Sequence, residues 1–172
     1  AFLVNSLSLK GFKVKCGSET KVAGAAPVNQ TAVTLPFTTT AFLVASVWSA
    51  DTAINDNAAF ALGGASGTSA VSASSFFEED NVATTDNYGI DHTTAALVKL
   101  TNTDGSTIDA LATCNAIDMN TAGWLRWTTN DATAPIINYI ALAPLAAVDP
   151  STEPYIIAFN GQRAPQMSVS AN

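Results

Sequence analysis

The sequence contains little charge, few reactive side chains and no long apolar run. Only 12% of its 172 residues are charged, about half the charged fraction of an ordinary soluble domain. It has two cysteines without a CxxC pair and one histidine, a set too small for a Cys/His zinc site. The largely apolar residues 41–48 fall far short of the ~20 residues that a transmembrane helix needs. We therefore expect no metal, no cofactor and no membrane partner.

The residues that replace the missing charge are apolar or small. Hydrophobic residues make up 48% of the chain, and the mean hydropathy is +0.23. Such a composition excludes a disordered solvating segment, which is poor in apolar residues and rich in net charge. A single compact domain that buries roughly 70% of its unfolded surface is expected at this length.

The few charges are unevenly distributed. Residues 1–21 hold four lysines against Glu19, a net +3, so residues 22–172 carry three cations against thirteen carboxylates, a net −10. With a total of −7, the chain is poorly suited to neutralise phosphates, and we expect no nucleic-acid partner. We interpret residues 1–30 as a weakly basic N-terminal arm with an edge strand, followed by an acidic body.

Period-two patterns in the first half of the chain predict short strands. Phe12, Val14 and Cys16 alternate with lysine and glycine, which indicates an edge strand with one wet, basic face. Residues 31–35 form a second candidate strand, which Pro36 ends. Residues 41–48 are apolar on both faces, as is typical of a central strand buried on both sides. Residues 49–62 are the one place where we expect a short helix.

The second half predicts a meander. Residues 61–75 are small and low in complexity, so they form either a loop or a strand that another chain approaches closely. Residues 95–101 and 107–116 flank an Asp-Gly turn and predict a hairpin. Residues 124–129 and 136–143 predict a second hairpin through residues 130–135, and residues 155–159 predict a last strand.

These elements indicate an all-β fold, an antiparallel β-sandwich or jelly roll with extended N- and C-terminal segments. The body is predicted to span residues 31–143, and residues 144–172 to form a C-terminal strand and tail.

The polar residues predict no catalytic, cofactor-binding or metal site. His92 follows Asp91 directly, and adjacent strand residues point to opposite faces, so a turn or surface histidine is favoured over a catalytic triad. Glu78, Glu79 and Asp80, with Asp86 and Asp91 nearby, form a Ca²⁺-binding loop or a solvated loop. The solvated loop is favoured because no EF-hand spacing is present.

The tryptophans and cysteines leave alternatives open. Trp124 and Trp127 are three apart, so on a strand we expect one in the core and the other at the surface, stacked on a sugar or a neighbouring subunit. Trp48 is expected in the core. Cys16 and Cys114 are either disulfide-bonded or, as we favour, free thiols buried in two strands.

Residues 123–142 combine three recognisable features. The aromatic strand with Trp124 and Trp127 is followed by Thr-Asn-Asp-Ala-Thr-Ala at 129–134 and by Tyr-x-Ala-Leu at 139–142. This segment resembles one found in structural proteins of tailed-bacteriophage virions, of the decoration and tail-appendage types. Residues 37–143 follow the same order more loosely. Pro135 departs from the pattern, in which a basic residue is expected.

The resemblance implies a non-enzymatic structural protein without catalytic residues. We expect it to self-associate, as a homotrimer in the style of the family, and to lie at the virion surface after assembly in the host cytoplasm. Its partners would be major capsid or tail proteins, to which it attaches as a capsid decoration or cement protein. The alternative is a tail-fibre or appendage module that binds a host-receptor carbohydrate, motivated by Trp124, Trp127, Tyr88 and the acidic residues 78–91.

Overall fold

Every regular element described in the computed structural model is a β-strand. The structure describes residues 11–48, 58–78, 87–100 and 107–145. The strands, in chain order, are β1 (Phe12–Thr20), β2 (Val28–Asn29), β3 (Ala41–Ser46), β4 (Ala58–Ser66), β5 (Val71–Glu78), β6 (Asn87–His92), β7 (Leu97–Leu100), β8 (Ile108–Cys114), β9 (Leu125–Thr129) and β10 (Ile136–Pro144). In these ranges there is no helix of the length and apolar character needed to cross a membrane.

The strands form two antiparallel sheets. One has six strands in the order β1-β10-β3-β4-β5-β6, and the other has four in the order β2-β9-β8-β7. The all-β, sandwich-like prediction is therefore confirmed. β1 lies at an edge of the larger sheet, as the alternation of residues 12–16 predicts, and β2 lies at an edge of the smaller one, so the predicted N-terminal arm supplies a strand to each sheet.

The core lies between the sheets and is built on large aromatic side chains. Phe42 on β3 meets Trp124 edge to face, with ring centroids 5.1 Å apart. Trp127 on β9 is fully buried and meets the partly buried Trp48 at 6.5 Å, so the prediction that Trp48 packs in the core is confirmed. Edge-to-face pairs of this kind add to the stabilisation from burial.

The second predicted hairpin is wrong. β9 pairs with β8 and β2, whereas β10 pairs with β1 and β3, so residues 130–135 cross from one sheet to the other. Local alternation reveals a strand but not its partner. The partners of β10, and β2 as a partner of β9, lie far away in the sequence. The first hairpin is confirmed, since β7 and β8 pair antiparallel, although its turn at residues 102–106 lies outside the described residues.

The small residues 61–75 belong to two paired strands, β4 and β5. A Cβ built on Gly63 would lie 2.1 Å from the backbone oxygen of Ala96, which precedes β7. Glycine is therefore required for the close approach of the two sheets. The strand alternative is confirmed, and the segment that approaches closely is Ala96 of the same chain.

Three other predicted elements differ from the structure. Residues 31–35 are not a strand, because Val33 and Leu35 are buried but direct their backbone N–H groups to Met119 O and the side chain of Asn120. Residues 41–48 are not buried on both sides, since Leu43 is 48% exposed. Residues 58–62 begin β4 and are not helical, while residues 49–57 lie outside the described part.

The described strands belong to one compact unit that runs from Gly11 to Leu145. Residues 1–10 and 146–172 are not described, so the predicted strand at 155–159 lies outside the described residues.

Candidate interaction surface

The solvent side of the six-stranded sheet is apolar. Directly opposed residues in antiparallel strands share a face, and the register places Cys16, Ile140, Leu43 and Gly64 in one row across four strands. Seven large apolar side chains are exposed on this side, and we call them the outer apolar face: Phe12 and Val14 on β1, Leu43 on β3, Phe60 and Leu62 on β4, Phe76 on β5, and Ile140 on β10.

The exposure of the outer apolar face is substantial. It ranges from 39% for Ile140 to 60% for Phe12. Phe60 and Phe76 are directly opposed on β4 and β5. Scattered surface apolar residues are ordinary, but a contiguous patch across a sheet marks a surface that another molecule covers.

The solvent side of the four-stranded sheet is polar by contrast. Arg126 on β9 opposes Thr113 on β8 and Asn29 on β2, and Thr128 lies two residues further along β9. Arg126, Asn29 and Thr128 are exposed. The outer side of the six-stranded sheet is therefore mainly apolar, whereas that of the four-stranded sheet is polar.

The outer apolar face has acidic residues only near its β6 border. Among the described outward-facing positions of the six-stranded sheet, the charged residues are Glu78 at the end of β5 and Asp91 on β6, where Ser74 Oγ donates a 2.6 Å hydrogen bond to Asp91 Oδ1. No lysine or arginine occupies the outward-facing positions that the structure describes in the six-stranded sheet. In the described strands this face therefore offers mainly apolar contacts, with carboxylates only at its β6 border.

The lysines of β1 lie on the opposite side of the strand. Lys13 and Lys15 oppose the buried Ala143 and Ala141, yet both lysines are exposed at the sheet edge. The predicted basic face of this strand is confirmed. Its apolar face, however, is exposed on the outer side, because the core lies on the lysine side of the sheet.

Lys21 does not belong to the basic surface, which corrects the sequence interpretation. It has the same strand parity as Lys13 and Lys15, and at the end of β1 this parity leads into the interior, where its side chain is fully buried. Its Nζ donates to Asp131 Oδ1 at 2.5 Å and to Thr133 O at 2.9 Å. The same ammonium lies 5.2 Å from the ring centroid of Trp127.

Asp131 joins Lys21 to a second interior lysine. Lys99 on β7 donates to the other carboxylate oxygen of Asp131 and, at 2.6 Å, to Asp109 on β8. Two ammonium groups thus face two carboxylates. We call Lys21, Lys99, Asp109 and Asp131 the interior charge cluster; it links β1, β7, β8 and the crossover between the sheets.

The cluster holds Asp131 and Lys99 in their charged forms. Burial alone would raise the pKa of Asp131, but hydrogen bonds from Lys21, Lys99 and Thr133 outweigh it and lower the pKa to about 2. Burial alone would lower the pKa of Lys99, and its bonds to Asp109 and Asp131 instead raise it. Both groups are therefore ionised near neutral pH, and their ion pair joins β7 to the crossover between the sheets.

Gln30 satisfies the polar groups next to the aromatic core. It is completely buried; its Oε1 accepts from Trp127 Nε1 at 3.2 Å and from Val22 N at 3.1 Å, and its Nε2 donates to Thr20 O at 2.7 Å. Trp124 Nε1 donates to Thr31 O at 2.9 Å. Both tryptophan N–H groups are thus paired within the chain.

The expectation that one of these two tryptophans lies at the surface is wrong. Trp124 and Trp127 are both fully buried. Trp124 lies just before β9 begins, in a turn where Gly123 has φ of 85°, so strand alternation does not apply to it. Neither indole is available to stack on a sugar.

His92 and its neighbours do not form a catalytic group. His92 is partly buried at the end of β6, and its ring contacts the hydroxyl of Thr94 two residues on, while Asp91 points to the other face and binds Ser74. Tyr88 on β6 is partly buried and engaged in interactions. Residues 79–86 of the predicted acidic loop lie outside the described part, and in the described ranges no cluster of three His, Cys, Asp or Glu side chains is placed to hold a metal.

Both cysteines are free, as favoured from the sequence, but only one is buried. Cys114 lies in the core, where burial raises the pKa of its thiol. Cys16 is exposed on β1 and shares its side of the sheet with Val14 and Ile140. The expectation that both thiols are buried is therefore wrong for Cys16, because the apolar side of β1 faces outward.

Sequence reasoning missed the outer apolar face and the interior charge cluster. The signal for the first is present, since residues 41–48 are apolar at both parities and one of the two sides must be the outer one. The signal for the second is Lys99, a lysine in the middle of the apolar run 95–100. A lysine in that position needs a buried carboxylate, which the sequence does not identify.

Comparison with known proteins adds no relative to this description. No protein-family model, no curated protein and no solved structure matches the chain.

Proposed function

We propose that this protein is a non-enzymatic structural component of a tailed-phage virion that self-associates and attaches to the particle surface as a capsid decoration or cement protein. The observation that carries the proposal is the outer apolar face, a broad apolar sheet surface on a chain whose other sheet is polar outside. Such a surface suits a subunit that is covered within an assembly. The resemblance of residues 123–142 to virion structural proteins supplies the kind of assembly.

The organisation of the interior supports a structural role. The lysines of the interior charge cluster are paired with its carboxylates, and the buried amide of Gln30 is bonded to Thr20 and Trp127, whereas Trp48 Nε1 and Asn130 Oδ1 are buried without a hydrogen-bond partner. This places the strongly interacting polar groups where they brace the sandwich and not where a substrate reaches them. The tail-fibre or appendage alternative loses its aromatic platform, because Trp124 and Trp127 are buried.

The direct test is the location and copy number of the chain in purified virions. We expect many copies on the capsid surface in a reconstruction of the intact particle, with matching abundance by quantitative mass spectrometry. Absence of the chain from purified virions, with the protein present in infected cells, would refute the proposal. Copies confined to the tail would transfer the assignment to the appendage alternative.

A second test concerns the basic edge strand. Lys13 and Lys15 are exposed, and the rest of the chain is acidic, so we expect these lysines to contact acidic groups of the particle. Lys13→Gln with Lys15→Gln should weaken rebinding to stripped particles by about 2- to 30-fold at low salt, because exposed ion pairs contribute about 0.2–1 kcal/mol each. The difference should shrink at high salt.

The control for this test is Arg126→Gln, which removes an exposed cation from the polar side of the sandwich. We expect it to leave rebinding unchanged. Equal weakening by both variants would indicate an effect of net charge alone and would contradict a specific role for the edge strand.

A further inference from the structure

We infer that a second copy of this chain covers the outer apolar face, packed face to face about a two-fold axis. The inference rests on the proposed self-association and specifies its surface and symmetry. Its starting point is that the exposed apolar side chains are concentrated on one surface. Of the nine large apolar residues exposed in the described ranges, seven belong to the outer apolar face, and the other two, Val47 and Leu145, follow the ends of β3 and β10.

The outward side of the six-stranded sheet has more than half of the area that a stable pair needs. Six strands about 4.8 Å apart, each with three to four outward residues at a repeat of about 6.7 Å, cover roughly 24 by 20 Å, or about 500 Å² before side-chain relief is counted. A standard interface buries about 800 Å² per partner. The outward side of the sheet alone therefore supplies more than half of that area.

The chemistry of the face selects an apolar partner. Its centre is formed by Leu43, Leu62 and Ile140, and the flanking outward positions carry the small polar side chains of Ser18, Ser72 and Ser74 and the carboxylate of Asp91. A sheet surface with an apolar centre and a polar rim resembles half of a sheet-on-sheet interior. A second copy offers a surface of the same size and character.

The symmetry follows from the presence of a single patch. A head-to-tail contact requires two different complementary surfaces on each copy, whereas an isologous contact uses the same surface on both and is two-fold. Among the described residues only the outer apolar face is large and apolar, and the outer side of the four-stranded sheet is polar. The contact that buries the face is therefore isologous, and it yields a dimer or a pair of contacts within an even-numbered assembly, in place of the homotrimer that the resemblance implies.

The experiment uses the full chain and one substitution at the centre of the face. Light scattering coupled to size exclusion should show wild-type dimers. Leu43→Glu should raise the dissociation constant at least about 100-fold, because it places a charge in the desolvated centre of the contact. Thr128→Glu is the matched control; it adds the same charge on the exposed polar side and should leave the dimer intact.

A second variant separates loss of contact from loss of folding. Leu62→Thr places a β-branched side chain, which suits a strand, at an exposed position of β4, so the fold should persist by circular dichroism and thermal unfolding while the dimer weakens. The thiol of Cys16, on the same side as the face, should react with a maleimide slowly in the dimer and rapidly after dilution. Cys16→Ala shows which signal belongs to this thiol, since Cys114 is buried.

The outcomes are decisive. Dimers that dissociate with Leu43→Glu and Leu62→Thr but not with Thr128→Glu support the inference. A wild-type monomer overturns the inference. If Cys16 is unreactive in that monomer, the chain covers its own outer apolar face. If Cys16 is protected only on particles, a virion protein covers the face. A trimer overturns the two-fold contact whichever variants dissociate it. Particle attachment is measured separately, so a dimer absent from virions would refute the proposed function and leave this inference standing.

Discussion

Replacement of Asp131 by asparagine should be among the most damaging single changes in this protein. The substitution keeps the shape of the side chain but removes the charge that two interior ammonium groups share. Lys21 is fully buried at its side chain, and Lys99 and Asp131 are 5% and 10% exposed. The amide would also point an NH₂ group at one of the two ammonium groups, where a donor meets a donor.

The magnitude follows from the burial of these groups. Removal of one partner from a buried ion pair costs about 3–5 kcal/mol, because the remaining charge is left without compensation. For a protein of this size, 1 kcal/mol corresponds to about 3 °C in Tm, so Asp131→Asn should lower Tm by about 9–15 °C. Since domains are stable by about 5–15 kcal/mol in total, the variant should remain folded at room temperature but unfold at much lower urea concentration.

The assay is urea and thermal unfolding of the wild type and three variants. Asp109→Asn removes the more exposed carboxylate of the cluster, 28% exposed at its side chain, and should cost about 1 kcal/mol or less. The double variant Lys21→Met with Asp131→Asn removes the ammonium group that Asp131→Asn leaves without a carboxylate partner, and Lys99 stays paired with Asp109. It should therefore recover part of the lost stability. If Asp131→Asn costs no more than Asp109→Asn, or if Lys21→Met adds to the damage, the interior charge cluster does not brace the fold.

The pH dependence supplies an independent check. The pKa of Asp131 is lowered from 3.8 to about 2 in the folded protein. At about 1.4 kcal/mol per pKa unit, this difference of roughly 1.8 corresponds to about 2 kcal/mol of stability. Because the pKa of Asp131 is lower in the folded than in the unfolded protein, its contribution to stability is complete above the unfolded pKa. This contribution is lost as the pH falls and Asp131 binds a proton. The stability gap between wild type and Asp131→Asn should therefore narrow as the pH falls from about 4 to about 2, and a constant gap would contradict the assignment.

Three further substitutions test the interior. Gly63→Ala should cost about 1–3 kcal/mol in thermal unfolding, because its Cβ meets a backbone oxygen at 2.1 Å, whereas Gly89→Ala, whose nearest atom is 3.8 Å away, should be tolerated. Gln30→Leu should cost about 2–3 kcal/mol in urea unfolding, since it leaves Trp127 Nε1 and two backbone groups unpaired. Asp118→Ala should cost about 1–2 kcal/mol by loss of the acceptor that holds the turn before β9; an unchanged Tm would show that this turn is held otherwise.

The strands of this chain can be predicted from the sequence because the alternation of apolar and polar residues depends only on neighbouring positions. The alternation around Phe12 and Val14 predicts β1, and the apolar residues of β8 predict the buried side that contains Ala110 and Cys114. Both predictions agree with the structure. The errors arise where a strand's partner matters, as for β9 and β10, which lie in different sheets although six residues separate them.

The sequence shows the apolar residues of the candidate interaction surface but not that they are exposed. Residues 41–48 show apolar side chains at both parities, and burial on both sides was the natural expectation. The structure leaves one parity, represented by Leu43, at the solvent side. No local pattern records whether a second layer covers a strand, because that depends on how many strands the opposing sheet has and where they lie.

What the sequence determined by itself is the secondary structure class and the scarcity of charge, since both depend on residue type and on spacing over a few positions. What only the tertiary structure decided is where the scarce charges and the abundant apolar groups lie. Lys21 and Lys99 are drawn inside because Asp131 reaches both from the crossover between the sheets. The outer apolar face is exposed because the four-stranded sheet packs on the other side of the six-stranded sheet, so that no second layer of described strands covers it.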